Sequence, residues 1–439
     1  MVGWSPCDVL VESVPGCDTQ APCSDASRVC RVRIWPLNAV PSAAAREPLV
    51  SRSFMLLVMG QLFQSLGYST LPLLPLYLTW MGATRLEIGV TMAVGSIGGL
   101  VFRPVVGWAL DRVGRRPTLL VGTVMLGVAT ILLGWVSEPG WLLYADRVLF
   151  GLGVGCLFTG YFTWAADLVP ASRRTEGLAL FGIAGLLPLC VNPISTELGL
   201  TGAEIRWLFP WVGMLILCSL FFVLQLKEPA RGVPAGASGR ASGRWRDLFS
   251  FRLLPVWIST VTFSGMVAVF FSYATLTAET RGVERATWMW FLYAGGAIGV
   301  RLFGSRLPDR IGPSNLMAPA LASYVVALLL CAQSTTWESF MLCGLLAGVG
   351  HGYCFPILTS QAVSRADVSA RGRSLSVFTG LWDVALLVLT PAFGAFADAW
   401  DDASMFGLVA TCAICTMGIW VILEARTGAT HPAQVGTTG

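Results

Sequence analysis

Long apolar stretches, broken by glycine and proline but almost free of charge, recur near residues 54–80, 86–109, 118–137, 141–168, 175–199 and 207–226, and again near 254–278, 286–304, 315–334, 338–363, 373–397 and 403–424. A helix rising 1.5 Å per residue needs about 20 residues to cross ~30 Å of hydrocarbon. The pattern therefore predicts an all-α membrane protein with twelve transmembrane helices. Between the sixth and seventh stretches lies KEPARGVPAGASGRASGRWRD, Lys227 to Asp247, whose Gly, Ala, Ser, Pro and Arg content reads as a polar, flexible linker. The chain divides accordingly into a tail at 1–53, a six-helix half at 54–226, a linker at 227–253, a second six-helix half at 254–424 and a tail at 425–439. Residues 1–53 show neither the uninterrupted apolar core of a signal peptide nor helical periodicity, and are expected to be a disordered cytoplasmic tail or a leader upstream of a later start.

Composition agrees with this pattern. Hydrophobic residues make up 55% of the chain and charged ones only 12%, against roughly 25% charged in a soluble domain. Such a chain has too little charged surface for water, whereas lipid accepts apolar side chains facing outward. The placement of the basic residues sets the orientation. Only Arg85, Arg206, Arg281 and Arg285 fall on the odd-numbered connections, while 17 Lys and Arg, counting Arg373 at the mouth of the eleventh span, fall on the even-numbered ones, the linker and the C-terminal tail. Excess positive charge marks the cytoplasmic side, so both termini are predicted to be cytoplasmic. Eight of the twelve cysteines sit inside apolar stretches as small hydrophobes, and the CxxC of Cys412 and Cys415 lacks a second ligand pair, so no metal is expected.

The two halves repeat. Asp111-Arg112-Val113-Gly114 recurs as Asp309-Arg310-Ile311-Gly312 at an offset of 198, and Gly151, Gly153 and Gly155 recur as Gly348, Gly350 and Gly352 at 197. Leu178 to Phe181 meets Leu375 to Phe378 at 197 again. Six spans per copy makes the repeats parallel, related by an axis along the membrane normal, with a central cavity between them.

The segment GWALDRVGRRP, Gly107 to Pro117, resembles the signature between spans two and three of the major facilitator superfamily of secondary transporters, and Arg147 to Gly153 resembles the fourth-span RxxxGxG pattern of its proton-coupled members. The fifth-span stretch LCVNPISTE matches the drug-antiporter pattern only in part, with Asn192 in place of a glycine. The chain is most similar to arabinose-efflux-permease-like and drug/proton-antiporter-like exporters. The resemblance implies the major facilitator fold and alternating access. It also implies a gating latch in which Asp111 faces the start of the eleventh span near Gly372 to Ser374, where helix-end amides attract an anion. Gly107 and Gly114 would make the tight turn, Arg112, Arg115 and Arg116 would hold it against carboxylates and lipid headgroups, and Asp309 and Arg310 are the second copy.

Ionisable side chains within a span cost ~3 kcal/mol or more at the bilayer centre, which makes each a functional candidate. Asp383, on a face with Thr379, Leu386 and Thr390, is the first choice for a proton site, and Arg147, Asp146 and His351 join it as candidates for proton coupling. Structural hydrogen bonding and ion pairing are the competing roles. Arg103 and Arg301, late in the second and eighth spans, are expected to snorkel to the cytoplasmic interface. For substrate binding, Gln61, Gln64, Ser65 and Tyr68 form one face of the first span, Thr260, Ser264, Phe271 and Thr275 a mixed face of the seventh, and Asn192 adds a polar group in the fifth. Trp288, Trp290 and Tyr293 supply aromatic surface in the eighth or an interfacial belt.

The leading expectation is a proton-coupled exporter of a small sugar-like, metabolite or drug-like molecule, with a proton/substrate symporter for uptake as the alternative and a non-transporting membrane sensor as a distant one. No GxxxxGK[ST] motif suggests ATP drive, and no nucleophile and base pair suggests an enzyme. The partners expected are a small-molecule substrate, protons and the lipid bilayer, with no cofactor beyond the proton gradient, no metal and no nucleic acid, for a monomer in a cell membrane such as the bacterial inner membrane.

Overall fold

The computed structural model describes residues 51–169, 174–200, 202–228, 250–305, 307–367 and 371–429. The expected tail up to residue 50, most of the linker and the last ten residues lie outside the described residues, as do the side chains of Asp111 and Asp309. Among the described residues the chain is helical throughout, without a strand.

Helices occupy every expected stretch. The first is divided into α1 (Arg52–Gln64), α2 (Leu66–Ser69) and α3 (Leu74–Trp80). Pro72 and Pro75 cannot donate into a helix ladder, and hydroxyls take over part of its work, Ser69 Oγ donating to Leu66 O at 2.6 Å and Thr70 Oγ1 to Gly67 O at 2.7 Å. The second stretch is α4 (Arg85–Val101) and α5 (Arg103–Arg112), bent by 44° where Pro104 follows the break at Phe102. Helices α6 (Arg115–Leu133) and α7 (Trp141–Leu168) are continuous. The fifth stretch runs as α8 (Arg174–Leu186), a tight turn at Leu187–Val191 containing Pro188, and α9 (Asn192–Glu197); α10 (Leu208–Gln225) closes the first half.

The second half contains α11 (Leu254–Thr280), α12 (Met289–Phe303), α13 (Leu307–Ile311), α14 (Pro313–Gln333), α15 (Trp337–Ser364), α16 (Arg371–Ala399) and α17 (Asp402–Ala429). Among the described residues, nine stretches are long and apolar enough to cross a bilayer, and the bent α4–α5 pair adds a tenth. The remaining two of the twelve are the divided first stretch and α12, which has 15 residues. Helix α11 is the most enclosed of the long helices.

Packing reproduces the repeat seen in the sequence. A Cβ at Gly151 would run into the carbonyl of Gly95 on α4, and a Cβ at Gly348 into the carbonyl of Tyr293 on α12. The second and fourth helices of each half thus cross backbone to backbone, which only a missing side chain permits. Carboxylates repeat as well. At the end of the bundle that carries the loop before α6, Glu228 accepts from the Arg115 and Arg116 amides at 2.7 and 2.9 Å, capping α6. In the other half Glu424 accepts from Ser314 Oγ at the start of α14 at 2.5 Å and from Arg365 Nη1 at 2.9 Å. We call this end proximal and the opposite end, carrying Gly82, Gly282 and Trp400, distal.

The halves meet mainly along α4 with α16, and where α8 and the turn after it pack on α12. These two contacts are equivalent under the repeat.

Candidate functional site

The bend at Phe102 starts α5 with Arg103, which reaches across to the other half. Its guanidinium donates to Thr379 Oγ1 and to Asp383 Oδ2, and Nη2 lies 3.4 Å from Thr379 O. Both side chains are partly exposed, 23% for Arg103 and 19% for Asp383. The expected snorkelling of Arg103 to the interface is therefore corrected: a carboxylate on α16 offers the guanidinium a stronger partner than a distant headgroup region. Asp383 sits over Gly99 of α4, 3.9 Å from where a Cβ would lie, and Tyr68 is close enough to feel its charge. Further along α16, Thr390 Oγ1 donates to Leu386 O at 2.6 Å and to Gly89 O of α4 at 3.1 Å, so this end of the polar face is packed between the halves.

Asp146 and Arg147, neighbours in sequence, pair with each other. Nε and Nη2 of Arg147 lie 3.3 and 3.1 Å from the same Asp146 oxygen, and the guanidinium carbon stands 4.2 Å from the Phe150 ring centre. Both residues are buried, and Asp146 Oδ1 is enclosed without a partner. In contrast to Arg103 and Asp383, this pair is almost completely enclosed.

His351, on α15, accepts or donates at Nδ1 across 2.5 Å to the Tyr293 hydroxyl of α12. Phe263, Phe355 and Trp382 pack their rings around it at 5.3, 6.1 and 6.3 Å between centroids. Phe158 of the first half touches Phe355 edge-on at 6.3 Å, so the aromatic cluster reaches the boundary between the halves.

The expected substrate face separates into parts. Gln61 and Gln64 are buried and both donate to Ser65 Oγ, at 3.2 and 3.0 Å, leaving their Oε1 atoms enclosed and unpartnered beside the break in the first stretch. Thr260 and Ser264 are completely enclosed in the second half, with hydroxyls bonded back to Val256 O at 2.7 Å and Thr260 O at 2.8 Å. Their place is in packed interior and not on an open face, because a helical hydroxyl readily satisfies itself on the preceding turn. Phe271 packs on Trp290 and Tyr293 at 4.6 and 5.5 Å. Those two rings are buried, Trp290 donating to Thr275 at 2.8 Å, which rules them out as an interfacial belt. Asn192 is enclosed, its amide bonded to Leu189 O at 3.1 Å and its Oδ1 unpartnered.

At the proximal turn Gly114 adopts φ +120° and Gly312 of the second copy φ +90°, a region that favours glycine. Gly107 lies within α5, with open space where a Cβ would stand, so its expected part in the tight turn is corrected. The arginines hold the turn to their own half: Arg115 pairs with Asp167 at 2.6 Å and Arg116 donates to Leu224 O at 2.6 Å. Arg112 and Arg310 are exposed.

The distal end holds contacts that the sequence did not suggest. Asp398, at the end of α16, accepts from the Arg85 and Leu86 amides at 2.8 and 2.7 Å and so caps α4 of the opposite half. The Arg85 side chain grips Asp402 through Nε and Nη2 at 3.3 and 3.2 Å. At the equivalent contact, Glu197 ending α9 accepts from Trp288 Nε1 at 2.9 Å, and the Thr196 and Thr287 hydroxyls meet at 2.6 Å. The distal end is thus bridged by polar bonds on both sides of the interface. Such partners stand from 91 to 317 residues apart, and no local spacing signals them. Among the described residues, no group of three or more His, Cys, Asp and Glu side chains is placed to hold a metal ion.

Comparison with known proteins identifies this architecture. The chain is 26% identical over 386 residues to a gentisate transporter of Corynebacterium glutamicum, covering 80% of this chain and 82% of the relative. It is 25% identical over 359 residues to an uncharacterised MFS-type transporter of Salmonella typhimurium, covering 78% and 89%. Among solved structures, a mutant form of the nucleoside transporter NupG superposes with a TM-score of 0.71 at 11% identity, over 85% of this chain and all of that one. A mutant of the peptide transporter POT gives 0.70 at 13%, over 86% and 95%. Residues 57–386 and 278–438 match the profile of the Major Facilitator Superfamily, and the chain belongs to that family of membrane transporters.

Proposed function

We propose that this secondary transporter is driven by protons, with Asp383 as the proton-carrying group and Arg103 as its counter-charge. One observation carries this reading: a carboxylate and a guanidinium from opposite halves are joined where both side chains remain partly exposed. While Asp383 is ionised, the pair ties α5 to α16. Protonation removes the charge that holds Arg103 and weakens the tie, so proton occupancy and the relative position of the halves become linked. Arg103 bonds Asp383 directly, and Tyr68 lies within range of its charge.

In this scheme the distal end is the outer face, both termini are cytoplasmic, and the bridges through Asp398 and Glu197 close the outer side. They part when the cavity turns outward, and Asp111 then latches onto the start of α16 near Gly372 to Ser374. Export is the direction favoured by the resemblance to efflux permeases. Uptake by symport is the second reading, supported by the similarity to a protein named as a gentisate transporter.

The test uses the full chain in proteoliposomes with an imposed pH gradient and a panel of labelled sugars, lipophilic cations and aromatic acids. Gradient-driven accumulation that collapses with a protonophore is expected, moving against proton flow for export and with it for symport. Asp383→Asn is expected to abolish accumulation while retaining exchange across the membrane. Accumulation that ignores the protonophore, or survives in Asp383→Asn, overturns the proposal.

A further inference from the structure

Arg103 has a counterpart. Arg301 stands 198 residues later, at the same place in the second copy of the repeat, near the end of α12. As Arg103 reaches from the first half to Thr379 on α16, Arg301 reaches from the second half to α8, where its Nη1 lies 2.7 Å from the position a Cβ would take on Gly182. Gly182 is the repeat equivalent of Thr379 at an offset of 197. Four residues on, the symmetry fails: Asp383 corresponds to Leu186. One trans-half arginine therefore has a carboxylate, and the other has a leucine where that carboxylate would be.

Among the described residues Arg301 makes no ion pair or hydrogen bond, and its Nε is enclosed without a partner. Its expected exit to the membrane interface is not realised, since the side chain turns toward the other half. The residue as a whole is half-buried, and a guanidinium withdrawn this far from solvent without a partner is stabilised by an anion that completes it. Its surroundings fit one kind of anion. Tyr293, two turns earlier on the same helix face, and His351 both lie close enough to feel its charge. His351 is held by Tyr293 through Nδ1, has no protein partner at Nε2 among the described residues, and is surrounded by Phe263, Phe355 and Trp382.

We infer that Arg301 is the recognition site for the carboxylate of an aromatic acid, whose ring is received by the aromatic cluster around His351. The inference rests on the transporter reading given above and adds the chemical class of the cargo. A planar guanidinium binds a carboxylate through two parallel hydrogen bonds, and ring faces and edges accept an aromatic cargo without requiring charge. Charge balance then favours one coupling. A proton on Asp383 and a carboxylate on Arg301 cancel, so the loaded and the empty cavity carry the same net charge through the conformational change. Exchange of one for the other would swing that charge by two elementary units. The site therefore favours symport of the acid with a proton over export by antiport.

The test is equilibrium binding to the full chain in lipid nanodiscs, with no gradient, using a radiolabelled hydroxybenzoate as probe and the amide of the same ring as competitor. The acid is expected to compete at least tenfold better than the amide. Arg301→Gln is expected to lower affinity tenfold or more, Arg301→Lys to restore part of it, and Asp383→Asn to keep binding. Equal competition by acid and amide, absence of binding to the wild type, or unchanged affinity in a monodisperse Arg301→Gln protein overturns the inference. None of these results touches the protonophore test, so carboxylate recognition and proton coupling can fail separately.

Discussion

Arg103 and Asp383 lie 280 residues apart in sequence and form a direct ion pair between the two halves. The pair depends on the break at Phe102, which restarts the helix at Arg103 and aims its side chain at α16. Because both groups are only partly buried, their attraction is weaker than that of a fully enclosed pair and can be undone by a single proton. Removing either partner alone is expected to destabilise this conformation by about 1.5–3 kcal/mol, the range for charged hydrogen bonds. Thermal unfolding of Arg103→Ala, Asp383→Ala and the double variant in detergent checks this. A coupling energy near zero in the double-mutant cycle would mean that the two groups do not stabilise one another.

The distal bridges are expected to govern which way the cavity faces. Asp398→Asn removes the charge from the cap on α4, and Glu197→Gln does the same for the bond to Trp288. Each charge-assisted bond contributes about 1.5–3 kcal/mol, enough to shift a two-state balance by roughly tenfold or more. Distances between spin labels placed across the distal end should lengthen in the double variant. An unchanged distance distribution would assign these bonds a structural role.

The glycine crossings are expected to tolerate no side chain. At Gly348 a Cβ would meet the backbone carbonyl of Tyr293, which cannot rotate away as a side chain could. Gly348→Val should therefore push α15 off α12 and lower stability by about 1–3 kcal/mol or more, the usual range for overpacking. Gly295→Ala, where a Cβ finds open space, serves as the control. Equal melting temperatures for the two variants would contradict the backbone-to-backbone packing.

Much of this arrangement could be read from the chain because membrane helices announce themselves locally. Span positions, the recurring glycines and the repeat offset all concern residues close in sequence or identical between copies. The pairings that join the halves are of another kind. Arg103 could be assigned to the interface because nothing near it in sequence provides a carboxylate, and its partner becomes visible only when α16 is laid along α4. Asp398 and Arg85 are hidden for the same reason. Thr260 and Ser264 mislead in the opposite sense, since a polar stripe on a helix marks either a cavity wall or hydroxyls bonded to their own backbone, and only packing distinguishes the two. Comparing Arg103 with Arg301 through the repeat offset is the one signal in the sequence that could have drawn attention to both.

The buried pair of Asp146 and Arg147 offers a sharp test of which charges move protons. The fourth-span pattern favours Arg147 as a coupling residue, yet the geometry ties it to its own neighbour, away from water. If the pair is structural, removing one charge should be worse than removing both. Arg147→Met would leave Asp146 enclosed and uncompensated, with an expected loss of about 3–5 kcal/mol, whereas combining it with Asp146→Asn removes the orphaned charge and should restore most of the stability. Proton-driven accumulation should then return along with folding in the double variant. A double variant that melts like the wild type but has lost gradient-driven accumulation would move the proton pathway to the fourth span and away from Asp383.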